Sequence, residues 1–117
     1  MITFNYETKF KVWNETALKE WIEKVISAEK CKVGDINIIF CEDEYLHKLN
    51  VDYLKHDTLT DIISFDYSVG KELHGDVYIS IERVYDNAKD FSVSFAEELH
   101  RVLIHGILHY CGYKDKS

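Results

Sequence analysis

The sequence predicts an α+β domain, α/β-like in its alternation: one small mixed β-sheet of about four strands with helices packed on it. Three observations carry this reading. Four separate segments either alternate apolar with polar residues or run apolar for several positions, the signature of strands. Four other stretches repeat apolar residues at helical spacing. The 117 residues contain no proline, no low-complexity tract and no internal repeat, so the chain reads as a single domain, 1–117, built on one core.

The elements follow in order. Ile2, Phe4 and Tyr6 alternate with polar neighbours and predict a half-buried strand. Asn14 is placed as a helix N-cap, with Trp13 and Leu18 as hydrophobic-staple partners. Leu18, Trp21, Ile22 and Val25 continue as the core-facing stripe of that helix. Gly34 precedes a strand over 36–40, and a short helix through Tyr45, Leu46 and Leu49 ends near Asn50. The polar stretch 53–61 reads as a loop. Residues 62–67 form a third strand, Gly70 marks a turn, and 76–80 form a fourth strand. Ser80 caps a helix whose buried stripe is Ile81, Val84, Tyr85 and Ala88, and Ser94 opens the last helix. The predicted order is β-α-β-α-β-β-α-α.

The last helix holds the residues most suited to chemistry. Leu99, Leu103, Ile107 and Tyr110 form its core stripe, while His105 and His109 lie off that stripe on a sector shared with Glu98 and Arg101. Residues i and i+4 sit one above the other on a helix face, so the two imidazoles can aim at one point. Gly112 stops the helix and lets the chain reverse, and Asp115 follows as a candidate third ligand. Three protein ligands with an open fourth position describe a catalytic zinc site. The competing reading is a surface or partly buried histidine pair with satisfied hydrogen bonds. The glycine and the carboxylate shift the balance towards metal.

Two blocks and a strand carry a resemblance. Residues His105-Gly106-Ile107-Leu108-His109-Tyr110-Cys111-Gly112-Tyr113 have the form H-G-x-L-H-x-x-G-Y. Asn50, Tyr53, Asp57, Thr60, Asp61, Ser64 and Phe65 have the form N-x-x-Y…D-x-x-T-D-x-x-S-F, and Gly75-Asp76-Val77-Tyr78-Ile79-Ser80 match G-D-x-x-I-S. Over roughly residues 34–115 the chain resembles the YbeY family of metal-dependent endoribonucleases, the rRNA maturation factors. The resemblance implies a zinc-bearing cytoplasmic protein that processes ribosomal RNA, with single-stranded RNA and the ribosome as partners. It places metal ligands at His105 and His109, and Asp115 stands where the family usually has a third histidine. A carboxylate binds zinc at about 2.0–2.2 Å, so the site survives chemically. It is one unit less positive than a three-histidine site and more open to Mn²⁺ or Fe²⁺. The family's substrate-holding arginine is replaced by Leu54. Lys55 and His56 are candidate substitutes, against the reading that both are solvated loop side chains. With Zn²⁺ bound, one per chain, the chemistry is phosphodiester hydrolysis by a metal-activated water, whose pKa falls from about 15.7 towards about 7 in favourable sites. Tyr53 or Tyr113 would stack an unpaired base.

The remaining polar residues have simpler readings. Thr60 and Asp61 close their loop through side-chain to backbone bonds. Glu98 is an exposed helix glutamate, or else orients a ligand imidazole. His47, His74 and His100 have no partner spacing and are expected at the surface.

Composition sets limits on all of this. The net charge is −7, with −5 in residues 41–66, −2 in 67–93 and balance elsewhere. That is the wrong sign for a free-standing nucleic-acid binder. A polyanion must be held by local cations, by the metal, or with a partner's help. No apolar run is long enough to span a bilayer, and the N-terminus lacks the pattern of a secretory signal. Cys31, Cys41 and Cys111 are odd in number with no C-x-x-C pair, which suits a reducing cytoplasm and argues against disulfides or a Cys₄ zinc site. Rival functions are a zinc metallopeptidase, a non-haem iron oxygenase and a non-catalytic ribosome-assembly factor with a structural metal. The peptidase motif needs a glutamate after its first histidine, and here that position is Gly106.

Overall fold

Strands β2 (Lys32–Cys41) and β4 (Glu72–Ser80) run parallel through the middle of the sheet and set the architecture of the computed structural model, which describes residues 1–56 and 59–113. Strand β1 (Ile2–Tyr6) adds parallel to β2, and β3 (Ile62–Asp66) adds antiparallel to β4, giving the order β1-β2-β4-β3. Helices α1 (Glu15–Ala28), α2 (Asp43–Leu54), α3 (Ile81–Asp90) and α4 (Phe95–Tyr110) complete the predicted sequence of elements.

The pleat sends alternate residues to opposite faces. Ile36, Ile38 and Phe40 of β2 and Leu73, Val77 and Ile79 of β4 point to one face. There they meet Leu18, Ile22 and Ile26 of α1, Val84 of α3, and Leu99, Leu103 and Ile107 of α4. On the other face Cys41 and Ile63 pack with Leu46 of α2, flanked by Leu49, Phe65 and Tyr78. Covered on both sides, the end of β2 is buried at four consecutive residues from Ile38 to Cys41. A strand buried on both faces reads as a continuous apolar run, which is how 36–40 looked in the sequence.

The helix starts match the expected caps. Asn14 Oδ1 accepts from the Ala17 N–H at 3.1 Å, and Ser80 Oγ accepts from the Arg83 N–H at 3.2 Å. Several expectations fail for reasons of packing. Trp13 is 100% exposed, so it makes no staple with Leu18. Tyr85 is exposed, its ring 4.3 Å from that of Phe95. Strands β2 and β4 begin earlier than predicted, because Lys32 and Val33 pair with Glu72 and Leu73 ahead of a register shift. Helix α2 continues through Tyr53 and Leu54 and ends at Lys55, whose φ of 59° is left-handed. His74 is half-buried rather than at the open surface: its Nε2 lies 2.6 Å from Glu72 Oε1 and its Nδ1 accepts from the Asp35 N–H. His47 is half-buried as well, and His100 is exposed with its ring 5.0 Å from Trp21.

Two glycines let α4 lie close to the β3–β4 hairpin. A Cβ at Gly106, between the two histidines, would come within 2.8 Å of Ile62 Cδ1 and 3.7 Å of Val77 Cγ1. At Gly75 a Cβ would stand 2.3 Å from the Phe65 carbonyl oxygen and 2.4 Å from the Tyr110 hydroxyl. That hydroxyl donates to the Phe65 carbonyl at 2.9 Å, with the Asp76 carbonyl at 3.2 Å. The two sites differ in what must yield. At Gly106 the obstacle is the tip of a flexible side chain; at Gly75 it is backbone and a bonded phenol. Gly75→Ala is expected to destabilise the fold by about 3 kcal/mol or more. Gly106→Ala, helped by helix propensity, should change stability by less than about 1 kcal/mol. Urea midpoints of the two variants check the difference.

Candidate functional site

Helix α4 is anchored at its start by a capping box. Ser94 Oγ accepts from the Glu97 N–H at 3.1 Å, and Glu97 Oε1 accepts from the Ser94 N–H at 3.2 Å. Burial of Leu99, Val102, Leu103, Ile107 and Tyr110 then fixes the rotation of the helix. What remains is a polar stripe of Glu98, Arg101, His105 and His109, spaced by three, four and four residues.

The two halves of this stripe differ in character. His105 and His109 are exposed, one turn apart. Their donor chemistry fits a divalent ion, two neutral imidazoles on one helix face being a common half of a metal site. Among the described residues no group of three or more His, Cys, Asp or Glu gathers to complete it. Asp115, the expected third ligand, lies outside the described residues. Cys111 is no replacement: burial, a hydrogen bond to Cys31 and nearby charge push its thiol up to about 12, which keeps it protonated.

Glu98, expected to be exposed, is only 1% exposed. Its burial is matched by partners. Oε1 and Oε2 accept from Arg101 Nε at 2.8 Å and Nη2 at 2.5 Å, and Asn87 of α3 bonds the same carboxylate. Asn87 Nδ2 also donates to Asp61 Oδ2 at 3.2 Å, and Arg101 Nη2 lies 3.5 Å from that oxygen. Asp61 therefore departs from its expected loop-closing role. Its side chain ties the start of β3 to α3 and α4, while its carbonyl accepts from the Ser80 N–H at 3.0 Å. Thr60 behaves as expected, its hydroxyl donating to the Ile62 carbonyl at 3.3 Å.

The candidate substrate residues lie at the end of α2. Tyr53 is 66% exposed, its ring 5.9 Å from Phe65 and edge-on to it at 81°. Lys55 is exposed, but its Nζ donates to the Asp52 carbonyl of its own helix at 3.2 Å. His56 is exposed, with its backbone N–H bonded to the Asn50 carbonyl. The Tyr113 hydroxyl is bonded to Glu29, which raises its pKa and draws the ring to the end of α1. Phe65 and Tyr78 pack on the α2 face of the sheet and α4 on the other, so Tyr53 and the histidines approach edge strand β3 from opposite faces.

The profile of the family described as Endoribonuclease YbeY matches residues 3–117. The chain belongs to the YbeY family. A relative named Endoribonuclease YbeY from Flavobacterium johnsoniae is 68% identical over 117 residues, covering 100% of this chain and 84% of the relative. One of the same name from Christiangramia forsetii is 58% identical over 116 residues, covering 99% of this chain and 81% of the relative. The solution structure of TM1509 from Thermotoga maritima shares the fold with a TM-score of 0.66 at 29% identity, covering 99% of this chain and 75% of that one.

In this YbeY-family chain, sequence reasoning missed the joint role of Asn87, Glu98 and Arg101. The signal in the sequence is the spacing of Arg101 and Glu98, one and two turns ahead of His105 on the same stripe. The electrostatics of the pair are testable. The bonds from Arg101, opposed by burial, hold the Glu98 carboxyl below its ordinary 4.5. A carboxylate depressed in the fold adds stability above its unfolded pKa and loses it as pH falls through its folded value. Glu98→Gln should cost about 1–2 kcal/mol at neutral pH, discounted because the guanidinium is half in solvent. The gap to wild type should close below about pH 4.5, as read by urea unfolding between pH 3 and 7.

Proposed function

We propose that the chain is a metal-dependent endoribonuclease that cuts single-stranded RNA. Its substrate on this reading is ribosomal RNA, during maturation of the small-subunit 3′ end and quality control of ribosomes. The observation that carries the reading is α4, which exposes His105 and His109 one turn apart in a chain of the YbeY family. The two imidazoles hold the ion, with Asp115 as third ligand. Zn²⁺, one per chain, is the first candidate, and the carboxylate leaves room for other divalent ions. When bound, the ion supplies Lewis acidity at a phosphoryl oxygen and acidifies water for attack.

The chain's own residues do the rest. The buried side of α4 keeps the histidine sector facing outwards, and Gly106 lets the helix settle on Ile62. Tyr53, largely exposed, offers a ring on which an unpaired base stacks. His56 remains a candidate contact to the strand. Lys55 is a weaker one, since its ammonium already bonds a backbone carbonyl. The 1–117 unit acts on this reading as one hydrolase domain in the cytoplasm, with the ribosome or its proteins as partners. Among the described residues no helix is long and apolar enough to cross a membrane.

One observation favours a second reading. A net charge of −7 suits a ribosome-assembly factor that docks on protein and uses its metal structurally. The metallopeptidase reading is weaker, because buried Gly106 occupies the position of the required base. Purified protein is expected to carry about one divalent ion per chain and to cleave single-stranded RNA but not casein, with cleavage lost on chelation. His105→Ala and His109→Ala should each lower cleavage by at least about 100-fold and reduce bound metal, with the circular-dichroism spectrum unchanged. A well-folded His109→Ala protein cutting RNA at the wild-type rate would refute the assignment. Metal-loaded wild type that binds ribosomes yet leaves RNA intact would establish the assembly-factor reading.

A further inference from the structure

We propose that Arg101 grips a phosphate of the RNA strand beside the histidine pair; this deepens the endoribonuclease reading and rests on it. Arg101 precedes His105 by four residues on the same sector of α4, so the two side chains are neighbours, about 5–6 Å apart at Cβ. Its head is held in place. Nε and Nη2 donate to the two oxygens of buried Glu98 at 2.8 and 2.5 Å, and the guanidinium carbon lies 5.7 Å from the centre of the Phe91 ring. A planar fork fixed along its Nε–Nη2 edge presents Nη1 and Nη2 as a second pair of parallel donors. The side chain is 50% exposed. Near that second edge stands Asp61 Oδ2, 3.5 Å from Nη2, an ion-pair separation too long for a good hydrogen bond, while the same oxygen accepts from Asn87. Asp61 is too far to give the second edge a full hydrogen bond, so a phosphodiester oxygen can complete the pair in competition with that carboxylate.

Charge gives such a residue a clear use. The chain carries −7, with −5 in residues 41–66, so a phosphodiester is repelled unless an oriented cation meets it. Lys55 lies at the end of α2 and is turned back to its own helix, whereas Arg101, although paired with Glu98 and Asp61, sits on the histidine face with its direction already set. Glu98 offsets part of the charge but removes the rotamer freedom that phosphate binding would otherwise have to freeze. Phosphate contacts of this kind position a strand without reading its sequence.

Binding is separated from cleavage by measuring the anisotropy of a fluorescent single-stranded oligoribonucleotide with the full, chelator-treated chain. Arg101→Gln is expected to weaken binding about tenfold and to flatten the slope of log K against log salt by about 0.7, the loss of one phosphate contact. Arg101→Lys, which keeps the charge but loses the fork, should weaken binding about threefold with the slope retained. Glu98→Gln moves the other way. Gln keeps a carbonyl acceptor that still orients the fork while the negative charge is gone, so RNA binds about threefold more tightly, whereas a purely architectural ion pair would give no gain in affinity. Wild-type affinity and slope in folded Arg101→Gln, or no tightening in Glu98→Gln, would overturn the proposal. If Arg101→Gln does not fold, wild-type affinity in Arg101→Lys overturns it. A wild-type chain that neither binds nor cuts single-stranded RNA overturns the endoribonuclease reading itself.

Discussion

The close seating of α4 on the β3–β4 hairpin is the contact on which the rest of this molecule depends. Gly75 removes a side chain that would collide with backbone, Gly106 eases the fit against the flexible end of Ile62, and the Tyr110 hydroxyl bonds the Phe65 carbonyl across the gap. A helix this close cannot rotate without driving Ile107 or Leu103 into solvent. The direction in which His105 and His109 face is therefore set by the core and not by the histidines themselves. Of the two glycines only Gly106 lies within the histidine motif, and the structure gives it a steric reason for being there.

The order of the eight elements among the described residues is legible because each carries a local signal. Strands announced themselves by alternation or by apolar runs, and Asn14, Ser80 and Ser94 marked helix starts through hydroxyl or amide caps that the structure contains. Boundaries were harder. Lys32 and Glu72 are polar residues whose strand state comes from backbone pairing, with each other and, for Glu72, with Val69, and not from any apolar pattern of their own. The last turn of α2 was hidden because Tyr53 and Leu54 look like loop residues until Lys55 closes the helix in a left-handed turn.

At the candidate site, the histidine spacing was readable because i,i+4 is a property of a single helix. The burial of Glu98 was not. It depends on Arg101 and on Asn87 from α3, and Asn87 is itself bonded to Asp61 ahead of β3, a grouping that no local pattern brings together. An isolated buried carboxylate would be protonated or expelled, yet one that accepts from a guanidinium and an amide remains charged. The sequence alone favoured an exposed glutamate, and tertiary hydrogen bonding reversed it. The same partners turn Asp61 from a loop closure into a tie between three elements.

The parallel sheet has a kinetic consequence. Ile2 aligns with Ile36, and Ile36 in turn with Gly75, so both parallel pairings close long stretches of chain before any ladder forms. Of the described pairings only β3–β4 is a local hairpin, whereas β1 and β2 pair across helix α1. Such non-local wiring places the chain among the slower-folding small mixed proteins, milliseconds and longer rather than microseconds. Helix α4 packs across β2 and β4 together, so the face that carries the histidines should take its final position only once that non-local pairing has formed.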